Sequence, residues 1–275
     1  MSAAPSSRWR WPPLLRASVV LHLAAAIAVV LAPRTWPGWL ALVLADHALI
    51  TLAGLWPRST WLGANLVRLP AAARARREVA LTIDDGPEPE VTPWVLDLLE
   101  QAGVKATFFC VGERALTHPE LVARIVGAGH SIQNHSQRHS HAFSFFGPQA
   151  LGREVDQAQA RLAGLAGETP RFFRAPAGLR NPFLAPVLHR RGLLLASWTR
   201  RGFDTRERDP GRVLARLTRG LEAGDILLLH DGHAARTAAG RPVVIEVLPR
   251  LIEALRQAGL RPVTLPQAVG GKGVP

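Results

Sequence analysis

Two adjacent carboxylates, Asp84 and Asp85, close an apolar run at residues 78–83. Side by side after a buried strand they repel each other and lose hydration, so something cationic must sit with them. A metal ion is the most economical partner. Further along, His135 and His139 stand four residues apart, and on a helical turn both imidazoles would face the same side. Two histidines and one carboxylate make a facial ligand set that leaves positions open for water and substrate. Alone, such a pair is more often two surface histidines. Beside Asp84 and Asp85 it predicts a metal centre.

Three more polar groups sit where apolar runs end. Arg174 closes Phe172-Phe173, and an arginine in that position usually pairs with a carboxylate. Residues 197–205, carrying Arg201, Asp204 and Thr205, follow another run. His230 ends Ile226-Leu227-Leu228-Leu229, where a capped core histidine and a catalytic one are equally good readings.

These residues need a scaffold that brings several strand ends together. Apolar runs of β type occur at 78–83, 106–111, 130–133, 171–174, 193–198, 226–230 and 261–265. Helical stretches at 92–102, 117–128, 148–163, 181–191, 210–223 and 242–258 alternate with them, several ending in Ala-Gly. That alternation predicts an α/β fold, a small or deformed (β/α) barrel of about seven parallel strands. In such barrels catalytic groups gather just past the C-terminal ends of the strands, which is where the polar residues above fall.

At five of these strand ends the sequence resembles the polysaccharide deacetylase family, the domain of the nodulation chitooligosaccharide deacetylase, also called carbohydrate esterase family 4. Thr82-Ile83-Asp84-Asp85-Gly86 is similar to T-F-D-D-G, and His135-Ser136-Gln137-Arg138-His139 to H-[S/T]-x-x-H. Arg174-Ala175-Pro176-Ala177-Gly178 is similar to R-x-P-[F/Y]-G, and Leu228-Leu229-His230 to L-x-H. The fourth motif, D-x-x-D-W, is half kept, with Arg201, Asp204 and Thr205 at its three defining places. The resemblance implies Asp84 as catalytic base, Asp85, His135 and His139 as metal ligands, and Arg174 as the residue orienting the base. It implies His230 as general acid oriented by Asp204, Leu228 against the acyl methyl, and the backbone N–H of Ala177 in the oxyanion site. The departures at Ala177, Arg201 and Thr205 imply a different or more open sugar subsite.

The expected activity is hydrolysis of an N-acyl group, acetyl first, from an amino sugar that is polymeric or lipid-linked. The expected cofactor is a divalent ion, with zinc the best fit to a 2-His-1-carboxylate hydrolytic site and other first-row metals able to use the same ligands. The competing readings are a carbohydrate O-acetyl esterase, a lipid-linked sugar deformylase and a catalytically dead, membrane-anchored sugar-binding protein. Sequence does not separate amide from ester.

The 275 residues carry a formal charge of +12. Residues 1–77 hold nine arginines and one acid, whereas 78–275 hold 24 basic and 20 acidic residues. Because the excess lies beside the most apolar part of the chain, it argues against a nucleic-acid partner and for membrane lipid. The single cysteine, Cys110, excludes an intrachain disulfide.

Residues 1–56 read as a membrane anchor of two helices, 14–32 and 38–56, broken by Ala32-Pro33-Arg34-Thr35-Trp36-Pro37-Gly38. Six of the eight tryptophans lie near the ends of these runs, in keeping with membrane interfaces. A cleaved signal, or one span with an interfacial helix, are the alternatives. Asp46 and His47 fall mid-run, where a carboxylate costs ~2.5–3.5 kcal/mol on insertion scales, so Asp46 should face the first helix and His22. Residues 57–77 form a basic linker and 78–268 the catalytic domain. Arg8, Arg10, Arg16, Arg58, Arg68 and Arg74 flank the spans against Arg34 between them, so both ends are expected on the cytoplasmic face of the inner membrane. The resemblance pulls the other way, toward wall or exported polysaccharide.

Overall fold

The computed structural model describes residues 9–270; Arg8 and Pro275 lie outside them. The chain runs α1 (Pro13–Leu31), α2 (Trp36–Leu55), α3 (Ala71–Ala75), β1 (Glu78–Asp84), α4 (Thr92–Ala102), β2 (Thr107–Cys110), α5 (Gly112–Thr117) and α6 (Pro119–Gly127). It continues through β3 (Ser131–Asn134), α7 (Pro148–Ala166), β4 (Phe172–Phe173), α8 (Leu184–His189), β5 (Leu194–Leu195) and β6 (Arg200–Arg201). Last come α9 (Pro210–Thr218), β7 (Ile226–His230), α10 (Val243–Gln257), β8 (Arg261–Val263) and α11 (Leu265–Val269).

All strand pairings are parallel, in the order β5-β4-β3-β2-β1-β7-β6, with β8 added to β1. The two edge strands, β5 and β6, are neighbours in sequence, joined by Ala196–Thr199. The edges must therefore curl toward each other, and the sheet becomes a deformed barrel. Leu66 pairs with Ala196 beside that junction. Eight strands replace the expected seven because β6 continues past the 193–198 run, through two arginines that no hydrophobic pattern marks.

The two faces of the sheet separate cleanly by residue parity. Val79, Leu81 and Ile83 point outward with Leu227 and Leu229, into a core shared with α4, α6 and α10. Ala80, Phe109, Ile226 and Leu228 point inward with Phe172 and Trp198. On the same alternation Thr82, Asp84 and His230 face the barrel interior, and β1 and β7 are paired in register with Asp84 opposite His230. α10 supplies its outward-core face from Val244, Val247, Leu248, Leu251 and Leu255, a helical repeat. Gly103, in left-handed backbone at φ 65°, stops α4 so that the chain can turn into β2.

α1 and the stretch Pro33–Leu55 are long and apolar enough to cross a membrane. Their outer faces, including Val20, Leu23, Ile27, Leu42 and Leu44, are exposed, unlike those of a core helix. The break between them is shorter than expected. A single 3-10 turn, Pro33–Thr35, suffices, and Pro37 is accommodated in the first turn of α2, where its missing N–H is no loss. Asp46 does face α1, but its partner is the Ser18 hydroxyl at 2.6 Å, whereas His22 meets His47, Nε2 to Nε2, at 3.1 Å.

Residues 57–77 are more than a tether. Leu62, Leu69 and Ala73 are fully or nearly buried, and Leu62 packs on Leu15 of α1 and Ala53 of α2. Asn65 donates to the carbonyls of Pro57 and Ser59, fixing the turn that leaves α2.

Candidate active site

Asp84, Asp85, His135, His139, Ala177, Leu228 and His230 line one cleft of about 270 Å³ at the C-terminal end of the strands. Arg174 and Asp204 lie behind it, both fully buried. The residues expected to act together are therefore brought together.

Ligand atoms of Asp85, His135 and His139 lie within 4.8 Å of one another and could hold a metal ion. Asp85 follows β1 with φ 75°, a left-handed conformation that leaves the strand, and both carboxylates face His135 Nε2, Asp85 at 3.1 Å and Asp84 at 3.8 Å. The histidines do not share a helical turn. They sit on an irregular loop after β3, with Ser136 at φ 66° and His139 at φ 51°, and the Asn134 side chain accepts from the Ser136 N–H. The i, i+4 spacing thus brings the two imidazoles together through a loop and not a helical turn.

The donor chemistry fits a cation. His135 Nδ1 lies 2.9 Å from the carbonyl oxygen of Arg174, to which it donates, leaving Nε2 as the lone-pair nitrogen. That nitrogen is 3.1 Å from Asp85 Oδ1, and His139 Nε2 lies at the same distance from the same oxygen. A lone pair facing a carboxylate this closely needs a positive charge, a cation or a proton, between the two. Burial opposes ionisation of Asp85, but the imidazoles of His135, His139 and His233 packed against it outweigh that and hold its pKa well below the usual carboxylate range.

Asp84 Oδ1 accepts from Arg174 Nη1 at 2.6 Å. The guanidinium also donates to Thr82 Oγ1 and to the carbonyls of Ser197 and Ala196, and it lies 4.0 Å above the Phe109 ring. Every edge of the fork is occupied, so Arg174 is immobile and fixes the direction of Asp84. A second ion pair faces it. His230 Nδ1 lies 2.9 Å from Asp204 Oδ1, and the other oxygen of Asp204 accepts the His230 backbone N–H at 2.7 Å. Burial disfavours the imidazolium, yet the charge and hydrogen bond of Asp204, joined by Asp85 and Asp84, push His230 up to about 9.

Ala177 sits in the turn Pro176–Gly178 at φ 55°, exposed at the cleft, and Leu228 forms part of the buried floor. Sequence reasoning missed His233, whose Nδ1 is 3.2 Å from Asp85 Oδ2. It also missed Arg114, which donates to the Asp85 carbonyl, and Trp198, which walls the cleft. The run His230-Asp231-Gly232-His233 carried the one available signal, a second histidine just past a strand end. Gly232 itself cannot be replaced cheaply, because a Cβ there would lie 2.6 Å from the Asp85 carbonyl oxygen. The hairpin holds another such group, His22, Asp46 and His47, far from the cleft in sequence.

A family model described as polysaccharide deacetylase matches residues 71–195. The chain is 33% identical over 198 residues to the chitooligosaccharide deacetylase of Bradyrhizobium sp. (strain ANU 289), covering 70% of this chain and 90% of that relative. The chain belongs to the polysaccharide deacetylase family. Solved family structures share its fold. A family 4 carbohydrate esterase from Streptomyces lividans, crystallised with acetate, aligns with a TM-score of 0.62 at 32% identity, covering 70% of this chain and 95% of that one. A peptidoglycan N-acetylglucosamine deacetylase aligns with a TM-score of 0.69 at 28% identity over 78% of this chain and 97% of that one. Within this polysaccharide deacetylase scaffold, Arg201 and Thr205 line the cleft at the places where the half-kept fourth motif departs from its pattern.

Proposed function

We propose that the chain is a metal-dependent hydrolase that removes an N-acyl group, acetyl first, from an amino sugar close to a membrane. One observation carries the reading: the Asp85, His135 and His139 group lies in the same cleft as Asp84 and the Asp204-backed His230. A divalent ion held by those three residues, zinc first, would polarise the amide carbonyl and acidify the attacking water. Asp84, aimed by Arg174, takes the proton from that water. The backbone N–H of Ala177 donates to the oxygen on which charge develops. His230, oriented and charged by Asp204, delivers a proton to the departing amine, and Leu228 contacts the acyl methyl.

Residues 1–56 act as the membrane anchor, 57–77 as a packed connection and 78–268 as the catalytic domain. The two apolar helices and their exposed apolar faces support this division. The test is incubation of detergent-purified protein with free and lipid-linked N-acetylated sugars, with the released acid identified by mass. Acetate release that stops on chelation and returns with zinc is the expected result. A chain that binds these sugars and releases nothing would instead be a sugar-binding protein.

A further inference from the structure

We propose that the groove running from Trp56 to the active cleft binds the phosphate that links a lipid to the amino sugar. The proposal rests on the hydrolase reading above and names its substrate class. The groove, of about 430 Å³, is lined by Trp56, Arg58, Trp198, Arg201, Phe203 and Arg216 among others. Trp198 and Arg201 also line the active cleft, so the two spaces adjoin at these side chains.

Charge in this groove is unusually free. Arg200 is committed to Asp225 at 2.5 Å and Arg216 to Glu207 at 3.1 Å. Among the described residues, no carboxylate lies within ion-pair distance of Arg58, Arg201 or Arg206. Arg58 makes one hydrogen bond, to the Thr199 carbonyl at 3.3 Å. The Arg201 guanidinium lies 5.4 Å from the Trp198 ring centroid and 5.0 Å from that of Phe203, and its buried Nε has no partner. A planar guanidinium lying against two rings, with no carboxylate partner for its Nη groups, can donate to an anion in two places, and phosphate oxygens match that fork.

The position of the groove selects the anion. Trp56 caps α2, the second apolar helix, and is exposed. An indole there marks the membrane–water boundary. A lipid whose chain stays in the bilayer would leave it beside Trp56, present its phosphate to Arg58 and Arg201, and set the attached sugar in the cleft. A neutral free oligosaccharide uses none of these charges.

The test uses the full chain in non-ionic micelles free of phospholipid, with two substrates. In one, N-acetylglucosamine is joined to a dodecyl chain through a phosphodiester. The other is the plain dodecyl glycoside of the same sugar. We expect kcat/KM to favour the phosphodiester by about tenfold or more, the value of a charge-assisted hydrogen bond or two. Arg58→Gln should cut that preference by about tenfold, and Arg58→Lys should restore part of it. Equal kcat/KM for the two substrates in the wild type overturns the proposal, as does a preference that Arg58→Gln leaves intact. Phosphatidylglycerol added to the micelles separates the remaining source of phosphate: equal suppression of both substrates would assign the groove to bilayer headgroups and also overturn the proposal. Failure of the hydrolase reading looks different, since then neither substrate releases acetate.

Discussion

The backbone N–H of Arg180 donates to the carbonyl of Gly54 at 3.2 Å, tying the loop that carries Ala177 to the last turn of α2. The contact is tight on both sides. A Cβ at Gly54 would run into the Arg180 carbonyl, and one at Gly178 would meet Trp198 at 2.5 Å and Pro57 at 2.7 Å. The apolar hairpin therefore helps to shape the cleft as well as tethering it. Gly54→Val should destabilise the protein by about 1–3 kcal/mol through overpacking and lower the deacylation rate as well. Gly38→Val in the same helix, where nothing lies within 4 Å, should do neither. Thermal unfolding in detergent together with acetate release distinguishes the two, and equal behaviour of the variants would show that the Gly54 contact is unimportant.

Metal content separates ligands from their supports. Asp85→Ala, His135→Ala and His139→Ala should each lose the ion and the activity together. His233→Ala should weaken binding by roughly 10–100-fold without abolishing it, because His233 reaches only the second oxygen of Asp85. Elemental analysis of the purified variants checks this, and full metal retention by His135→Ala would refute the ligand set.

Much of this site was legible because its residues stand at strand ends, where a two-residue alternation fixes which side chains face inward. Asp84 and His230 obey that rule, and the structure sets them opposite each other across β1 and β7. Arg114 was not legible, and His233 only through its place just past a strand end. Both reach Asp85 from loops or helix starts whose course depends on long-range packing, and neither spacing carries a period. The candidate ligand histidines His135 and His139 come together by another local route than the helical turn their spacing suggests, through positive φ at Ser136 and His139. β6 escaped because its strand character comes from pairing with β7 alone, not from its own arginines.

The base and the acid should differ from the ligands by keeping the metal. Asp84→Asn removes the proton acceptor while leaving Asp85, His135 and His139 in place, so a loss of roughly 10²–10⁴-fold with normal metal content is expected. Arg174→Ala should be worse for folding, since it strands Asp84 in a buried site at a cost of about 3–5 kcal/mol. Normal turnover by Asp84→Asn would transfer the base role elsewhere.

The pH dependence follows from Asp204. A pKa raised to about 9 keeps His230 protonated through neutral pH, and that proton is lost as the pH climbs through the raised value. Turnover should therefore fall on the alkaline side. Asp204→Asn should move that fall to lower pH by roughly one unit or more. The stability contributed by the same proton is full below the ordinary value of 6.5 and gone above about 9, so wild-type Tm should decline across that window more than that of Asp204→Asn. A cation at Asp85 offsets part of the carboxylate charge, which places the limb of the loaded enzyme below that of the metal-free protein. An alkaline limb unmoved by Asp204→Asn would remove His230 from the acid role.

The hairpin and its arginines yield a prediction for the side of the membrane. The 3-10 turn Pro33–Thr35 reverses the chain, and Asp46 bonded to Ser18, with His22 against His47, pairs the two helices from within. This pairing lowers the cost of a carboxylate in mid-span and favours two crossings over one. Two crossings return the catalytic domain to the side of the N-terminus. Arg10, Arg16, Arg58, Arg68 and Arg74 flank that side, with Arg8 beyond the described residues, against Arg34 alone in the turn. The positive-inside rule then predicts a cytoplasmic catalytic domain, in keeping with a lipid-linked precursor modified before export. A fluorescent-protein fusion at Pro275 should glow and a phosphatase fusion there should be inactive. Asp46→Ala should leave that pattern unchanged, because the arginine bias remains. Replacing Arg8, Arg10, Arg16 and Arg58 by Gln while placing arginines at Thr35 and Gly38 leaves Arg68 and Arg74 on the flanks against three arginines in the turn and should invert it. An active phosphatase on the unaltered chain would place the cleft outside the cytoplasm and turn the substrate toward exported polymer.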